Sequence, residues 1–258
     1  MRVRLIRHAE SAANAGMATI SPHSIPLTEL GKQQARILAD SIRWPPDLVI
    51  SSPFERALHT AQPTALRFPD APVETWAVEE FTYLNPGRFE ATTQAERKPI
   101  AEAYWHTSDK TAVDGLGAES FAQLLGRAQN MLDRLASLNT AQVFVFSHGQ
   151  FIRAVAWFIR HGEAAGTPEL MREFRRLDTQ EPLANCSGYD LALRDGRWFI
   201  DYQVSPDGNV RFIDQFCTDQ AFGSLPIAPV TGEIRNAMKH FKKLHLESMR
   251  APVRGRLS

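Results

Sequence analysis

The sequence has few cysteines, no excess of either charge and no long apolar run. Its 258 residues include two cysteines, Cys186 and Cys217, which cannot form a disulfide framework and suit a reducing compartment. The 29 Lys and Arg residues balance 29 Asp and Glu residues, so no net field draws the chain to nucleic acid or to an anionic membrane. No stretch approaches the roughly 20 apolar residues of a membrane helix. We therefore predict a cytoplasmic protein that binds neither nucleic acid nor a membrane.

Sequence patterns that bind metals or nucleotides are also missing. The chain has no Cys-x-x-Cys pair and no His-Glu-x-x-His, and its eight histidines are scattered. It has neither a P-loop nor a dinucleotide-binding fingerprint. We therefore predict that the protein needs no metal ion and no cofactor.

Three short apolar runs are typical of buried strands, and each ends in polar residues. The runs are Val3 to Ile6, Asp47 to Ile50 and Val143 to Phe146, and they are followed by Arg7-His8, Ser51-Ser52 and Ser147-His148. Segments with helical periodicity separate the runs, which favours parallel strands joined by right-handed crossovers. We predict an α/β fold with three α/β/α layers, a mostly parallel central sheet and helices on both faces. A ligand site is expected outside the carboxyl ends of the strands.

The remaining elements are predicted from periodicity and from helix and turn signals. Apolar positions with a 3.6-residue period indicate surface helices, and alternation around Asp195-Gly196 indicates an antiparallel hairpin, which we place at the periphery of the sheet. The predicted helices include Ala35 to Ile42, a segment that begins at Pro53 and contains Arg56, Ser120 to Leu135 and Phe151 to Ile159; the further strands are Val73 to Val78, Gly188 to Leu193 and Trp198 to Val204.

We expect a single domain over residues 1–258 with two atypical segments. Residues 79–117 lose the regular pattern and are rich in aromatic side chains, so we predict an inserted lid over the carboxyl ends of the strands. The same apolar residues could equally cover a partner, which leaves a homodimer open. Residues 231–258 hold seven Lys and Arg against two Glu. Without aromatic interleaving, we interpret this basic tail as a solvated helix and a frayed end rather than a nucleic-acid site.

Four short motifs stand in a fixed order along the chain. They are Arg7-His8-Ala9-Glu10-Ser11 with Asn14, Pro26-Leu27-Thr28-Glu29-Leu30-Gly31, Ser51-Ser52-Pro53-Phe54-Glu55-Arg56-Ala57 with Thr60-Ala61, and Ser147-His148-Gly149. In this order and spacing they resemble the motifs of the histidine phosphatase superfamily, also called phosphoglycerate-mutase-like proteins. The resemblance runs from about residue 2 to about residue 205. It implies the fold of that family and an activity in phosphoryl transfer.

Residues of the first and third motifs suit a phosphate dianion. Transfer of a phosphoryl group needs positioning and compensation of charge on its oxygens, and the guanidinium groups of Arg7 and Arg56 match phosphate geometry. The resemblance implies that His8 is the nucleophile and forms a covalent phosphohistidine, which water later hydrolyses. We expect the other ring nitrogen of His8 to be held by a backbone acceptor that fixes the tautomer.

Further donors to the phosphoryl group are expected from the first and last motifs. His148 would be surrounded by acceptor oxygens in the complex and would therefore be protonated there, donating to a phosphoryl oxygen. Asn14 and the backbone of Gly149 and Gln150 are further candidate donors.

A carboxyl group must supply a proton to the leaving alkoxide, and the family provides it after the third strand. That segment reads Val78-Glu79-Glu80-Phe81 here, and we choose Glu80 as the general acid and later the general base toward water. The family pattern continues with a glycine four residues on and an aromatic-Glu-Gly triplet, whereas here Gly87 comes seven residues on and Phe89-Glu90-Ala91 stands for the triplet. Because of this departure, Glu79 stays an alternative.

The favoured function is that of a metal-independent phosphatase of the histidine acid type, a phosphoric monoester hydrolase, acting on a small phosphorylated metabolite. The alternative is a phosphoglycerate mutase. Mutases of the family carry a Glu-Arg-x-Tyr-Gly stretch, where this chain has Phe81-Thr82-Tyr83, so hydrolysis is favoured. Arg88, Arg97 or Lys98 pointing into the site would weaken that preference. A catalytically silent phosphate-binding protein is the third hypothesis.

Overall fold

A single seven-stranded sheet organises the chain. The computed structural model describes residues 1–204 and 210–212, so the basic tail predicted at 231–258 and Cys217 lie outside the described residues. The strands are β1 (Arg2–Arg7), β2 (Leu48–Ser51), β3 (Val73–Thr75), β4 (Gln142–Ser147), β5 (Gly188–Arg194), β6 (Arg197–Val204) and β7 (Val210–Phe212). Their order across the sheet is β3-β2-β4-β1-β5-β6-β7. The first four in this order are parallel, and β5 to β7 continue the sheet with antiparallel pairing.

Helices cover both faces of the sheet, as the α/β prediction requires. They are α1 (Glu29–Ser41), α2 (Glu55–Arg67), α3 (Gln94–Thr107), α4 (Phe121–Ala136), α5 (Gly149–His161) and α6 (Pro168–Gln180). Successive strand residues point to opposite faces. Val3 and Leu5 of β1 therefore join the large core formed with α4 and α5, while Ile6 joins the smaller core formed with α1 and α2. No helix in the described part of the chain is long and apolar enough to cross a membrane.

Two helices were not predicted. Inside the segment 79–117, α3 buries only Ala101, Tyr104 and Trp105 and contains Pro99, so it has no apolar stripe to detect. Its capping box, Thr93 with Glu96, was the available sequence signal. The second is α6, which has the cap Thr167 and a proline at its first position. By contrast, the helix predicted from Ser120 to Leu135 is present as α4, which has Ser120 as its cap and buries seven residues along one face.

The strand predictions need three corrections. The strand expected from Val73 to Val78 is limited to Val73–Thr75, because it pairs only with the short β2 and lies exposed at the sheet edge. The helix expected from Pro53 begins at Glu55, so Pro53 precedes it. The hairpin around Asp195-Gly196 is present, but β5 is not peripheral, since it pairs with most of the length of β1. The sheet is therefore mixed, with four parallel strands that three antiparallel strands continue on one side.

Candidate active site

The pairing of β1 with β4 brings two of the four motifs together. Arg7 lies opposite Ser147 in the parallel register, so the residues that follow each strand emerge side by side. The backbone N–H of His8 donates to the carbonyl of Ser147 at 2.9 Å, and the rings of His8 and His148 have centroids 5.2 Å apart. Both histidines are buried. The carboxyl edge of the sheet thus carries two imidazoles, as the strand ends indicated.

The hydrogen bonds of His8 define the roles of its two ring nitrogens. Nδ1 lies 2.7 Å from the carbonyl oxygen of Ala9, which can only accept, so Nδ1 carries the hydrogen. Nε2 accepts from Nε of Arg56 at 3.1 Å. Burial, followed by the charges of Arg56 and Arg7, holds the pKa of His8 well below its ordinary value near 6.5. The imidazole is therefore neutral, with the lone pair of Nε2 directed at a guanidinium group.

Two arginines approach these histidines from different elements. Arg56 comes from the first turn of α2, is 5% exposed and also donates to the carbonyl of Pro22 at 2.7 Å. Burial lowers the pKa of Arg56 to about 10, so it stays charged at neutral pH. Arg7 donates to the carbonyl of Leu183 through one of its terminal nitrogens. Within the described residues, Nε of Arg7 and Nδ1 of His148 are buried polar atoms that lack a hydrogen-bond partner. An oxyanion bound here would satisfy such donors.

The two adjacent carboxylates, Glu79 and Glu80, point to different surroundings. Glu79 pairs with Arg127 at 3.4 Å. Glu80 lies close to the arginines of the site, and its Oε1 accepts backbone N–H bonds from Phe81, Gln150 and Phe151 at 3.1, 3.0 and 3.3 Å. Burial raises the pKa of Glu80, although the charge of Arg56 opposes that effect. The structure therefore places Glu80 near Arg56 and Arg7, whereas Glu79 pairs with Arg127.

Three other candidate residues have partners that were not expected. The backbone N–H of Gln150, expected to face phosphate, instead donates to Glu80, because α5 begins directly beneath that carboxylate. The side-chain oxygen of Asn14 accepts from Ser11 and from Asn185, so it ties the loop after β1 together. At Gly149 an added Cβ would lie 3.6 Å from Nε of Arg7 and 3.9 Å from Oε2 of Glu80, which places this glycine between the two charged groups.

Several contacts of the site were missed at the level of sequence. Ser52 Oγ lies 2.8 Å from Nε2 of His148, and Asn185 Nδ2 donates to the carbonyl of His8 at 2.8 Å. The backbone N–H of Cys186 donates to the carbonyl of Arg7 at 3.0 Å. Because β5 runs antiparallel to β1, the start of β5 lies at the carboxyl edge of β1. This antiparallel pairing could have predicted that residues 183–187, which precede β5, lie near the site.

A cavity of about 180 Å³ opens above Arg56 and Glu80. One wall comes from residues 19–25 and the other from the segment 79–117, and a β-bridge between Thr19 and Thr92 joins the two walls. The lining combines eight apolar residues with seven polar or charged ones: Thr19, Ile20, Ser21, Pro22, Ile25, Phe54, Arg56, Glu80, Phe81, Thr82, Tyr83, Leu84, Pro86, Phe89 and Arg97. That the segment 79–117 acts as a lid stays a prediction.

The three basic residues that bear on the choice between hydrolase and mutase differ in position. Arg97 lines the cavity and donates to Thr92 at 2.9 Å. Arg88 pairs with Asp114 at 2.9 Å, and Lys98 is 72% exposed. One of the three is therefore available to a ligand in the cavity.

Comparison with known proteins identifies the family. The family model of the histidine phosphatase superfamily, branch 1, matches residues 3–201. The chain belongs to this superfamily. A metal-independent phosphoserine phosphatase of Arabidopsis thaliana is 28% identical over 209 residues, covering 76% of this chain and 78% of that protein. An adenosylcobalamin/alpha-ribazole phosphatase of Salmonella typhimurium is 32% identical over 153 residues, covering 57% of this chain and 74% of that protein.

A solved structure agrees with this assignment. Phosphoserine phosphatase of Entamoeba histolytica, in complex with 3-phosphoglyceric acid, superposes with a TM-score of 0.61 at 25% identity, covering 78% of this chain and 95% of that one. The α/β fold expected from the motifs is confirmed. Given its superfamily and its phosphatase relatives, this member is a phosphoric monoester hydrolase of the histidine phosphatase type.

Proposed function

We propose that this histidine phosphatase hydrolyses phosphate monoesters of small metabolites, without a metal ion, through a phosphohistidine on His8. The observation that carries the proposal is the geometry of His8. Its Nδ1–H is bound to the carbonyl of Ala9, so the lone pair of Nε2 is free to react once a phosphate replaces the contact from Arg56. Arg56 and Arg7 supply two positive charges to the phosphoryl oxygens, the role that a metal ion has in other phosphatases.

The first step transfers the phosphoryl group to the histidine. The lone pair of His8 Nε2 attacks phosphorus and forms the N–P bond while the bond from phosphorus to the leaving oxygen breaks. Glu80, whose pKa burial raises, gives its proton to that oxygen, and the alcohol leaves. Arg7, Arg56 and a protonated His148 hold the three remaining oxygens, because the dianion favours the imidazolium form of His148.

The second step regenerates the enzyme. Glu80 is now a carboxylate and accepts a proton from water, whose oxygen attacks phosphorus. The N–P bond breaks, its electron pair returns to Nε2 of His8, and inorganic phosphate leaves. One carboxyl group therefore serves both steps, and the net reaction consumes one ester and one water.

The size and lining of the cavity support a small substrate. Its volume of about 180 Å³ is below the range of about 300–1,000 Å³ that is usual for drug-sized ligands. The relative named as a phosphoserine phosphatase favours the same class. A cytoplasmic location, where such metabolites occur, is part of the proposal.

One observation favours a second candidate, the phosphoglycerate mutase. Arg97 lines the cavity, where it could hold a substrate carboxylate beside the phosphate site. Without the Glu-Arg-x-Tyr-Gly stretch, and with phosphatases among the relatives, hydrolysis remains the better supported reaction.

Steady-state hydrolysis of para-nitrophenyl phosphate in excess chelator tests the proposal. The wild type should release phosphate, and quenching with alkaline detergent should recover a phosphoprotein whose label is lost on later treatment with acid. His8→Ala should abolish both signals. Glu80→Gln, which also lacks the general base of the second step, should lower kcat by about 10²–10⁴. His59→Ala, which alters an exposed histidine on α2, is the matched control and should leave both signals unchanged.

Four results would contradict the proposal. Activity that is lost with chelator and restored by a divalent metal would overturn metal independence. Hydrolysis that survives His8→Ala would remove the phosphohistidine. No hydrolysis together with turnover of 3-phosphoglycerate would identify a mutase, whereas phosphate binding without any turnover would identify a silent binding protein.

A further inference from the structure

The two oxygens of the Glu80 carboxyl group have different surroundings. Oε1 accepts three backbone N–H bonds, two of which come from Gln150 and Phe151 in the first turn of α5. Oε2 accepts no hydrogen bond from the described part of the chain, and Glu80 lines the cavity. An oxygen saturated by three donors has no room for a proton of its own. The transferable proton therefore belongs on Oε2.

The donor residue Gln150 is itself fixed from behind by α6. Its side-chain Nε2 donates to Oδ2 of Asp178 at 2.7 Å. Asp178 is 15% exposed and forms ion pairs with Arg175 at 3.2 Å and with Arg153 at 3.7 Å. A carboxylate with this many charged partners on two helices is held rigidly. Gln150 thus connects an immobile anion on α6 to the carboxyl group of Glu80.

We propose that Asp178 is a positioning residue for catalysis, which acts through Gln150 to aim Oε2 of Glu80 at the leaving group. This inference rests on the proposed function, since it requires Glu80 to be the proton donor. Asp178 is not among the residues that line the cavity, so we expect its effect on the reaction to be indirect. From the sequence alone, no residue of α6 was expected to take part in the reaction.

Charge gives Asp178 a second effect on the same group. Glu80 faces Arg56 from α2, Arg7 from β1 and Asp178 from α6, and it accepts N–H bonds from the start of α5. Burial is the main cause that raises the pKa of Glu80, and the negative charge of Asp178 raises it further, while the two arginines lower it. Neutralising Asp178 should therefore lower the pKa of Glu80. Glu80 would then lose its proton at a lower pH.

The decisive variant is Asp178→Asn, which preserves shape and removes the charge. General acid catalysis matters most when the leaving group is a poor one. We therefore measure kcat/KM from pH 4 to 9 with O-phosphoserine, whose leaving group is an alkoxide, and with para-nitrophenyl phosphate, whose phenolate leaves readily. A misdirected acid can cost up to about 10²-fold in rate. The loss should be several times greater for O-phosphoserine, and the alkaline limb of its profile should move to lower pH.

Glu173→Gln is the matched control. It removes a carboxylate on the exposed face of the same helix, where Glu173 pairs with Arg176 at 2.6 Å. It should change neither the profile nor the ratio between the two esters. If Asp178→Asn does not fold, Gln150→Met carries the test, since it breaks the contact with Asp178 while leaving the ion pairs of Asp178 in place. The same selective loss is expected of it.

The outcomes separate this inference from the proposed function. If His8→Ala keeps its activity, the proposed function fails. If His8→Ala is inactive but Asp178→Asn matches Glu173→Gln, only the role of Asp178 is refuted. An equal loss on both esters with an unmoved alkaline limb would show a structural effect and would also overturn the inference.

Discussion

Replacing Gly31 by alanine should damage both stability and activity. Gly31 is the third residue of α1, and the start of this helix rests on the loop that follows His8. The backbone N–H of Thr28 donates to the carbonyl oxygen of Glu10 at 3.0 Å. A Cβ on Gly31 would lie 2.0 Å from that oxygen and 2.9 Å from its carbonyl carbon. Real Cβ atoms essentially never come closer than 3.0 Å to such atoms, so helix and loop must separate by about 1 Å.

The expected magnitude follows from two opposed effects. Alanine is favoured over glycine inside a helix by about 1 kcal/mol. Overpacking costs about 1–3 kcal/mol, and the upper part of that range applies because the contacted atom belongs to the backbone and cannot rotate away. We therefore expect Gly31→Ala to lower the free energy of unfolding by about 2 kcal/mol. A shift of about 1 Å two residues from His8 should lower kcat/KM by about 10²-fold.

Gly126→Ala provides the control for this prediction. Gly126 lies within α4, and an added Cβ would meet no atom within 4 Å. Only the helix preference acts there, so the variant should gain about 1 kcal/mol without loss of activity. Urea unfolding and hydrolysis of para-nitrophenyl phosphate measure both quantities. If Gly31→Ala is as stable and as active as Gly126→Ala, the contact with Glu10 does not constrain the site and the reasoning is refuted.

Three further predictions concern protons and the loop after β1. Burial, with help from Arg56, holds the pKa values of His8 and His148 well below 6.5. As the pH falls below about 6.5, these two histidines become protonated in the unfolded chain but stay neutral in the folded one. The free energy of unfolding should therefore fall by up to about 1.4 kcal/mol per pH unit for each histidine. Urea unfolding of His148→Gln between pH 6.5 and 5 should show a shallower slope, and an identical slope would contradict this reasoning. Sulfate, which stays a dianion near neutral pH, should bind with uptake of a proton by His148. Calorimetry in buffers of different ionisation enthalpy measures that uptake, and a binding enthalpy independent of the buffer would argue against it. Asn185→Ala should leave the buried carbonyl of His8 without its donor, which costs about 1–3 kcal/mol of stability in urea unfolding; an unchanged stability would count against that bond.

Much of the fold could be predicted because its signals are local. The strands β1, β2 and β4 are short and mainly apolar, and α4 has both a capping box and a full apolar stripe. The helix α3 lacked such a stripe because it rests on the domain through only three buried residues. The position of this helix depends on contacts between its aromatic residues and those of distant elements. A periodic pattern within the local sequence does not reveal such contacts.

The candidate site also has one part that the sequence predicts and one part that it does not. His8 and His148 follow strand ends, so the topology alone brings them to one edge. The partners of Gln150 could not be predicted from the sequence. Its backbone N–H donates to Glu80, which lies in a loop 70 residues earlier in the chain, and its side chain donates to Asp178 on α6. These contacts depend on how helices and loops pack above the sheet. Their prediction requires the tertiary structure.

The bridge between Thr19 and Thr92 has a consequence for how new specificities could arise. His8 and His148 follow strand ends at the edge of the sheet, whereas most of the cavity wall comes from two loops that this bridge joins. Variation in these loops at positions other than Glu80 can therefore change the accepted ester and leave the reacting groups in place. The two loops must vary as a pair, however, since an insertion in one would pull the other out of register. Directed evolution of this protein should diversify both loops in one library.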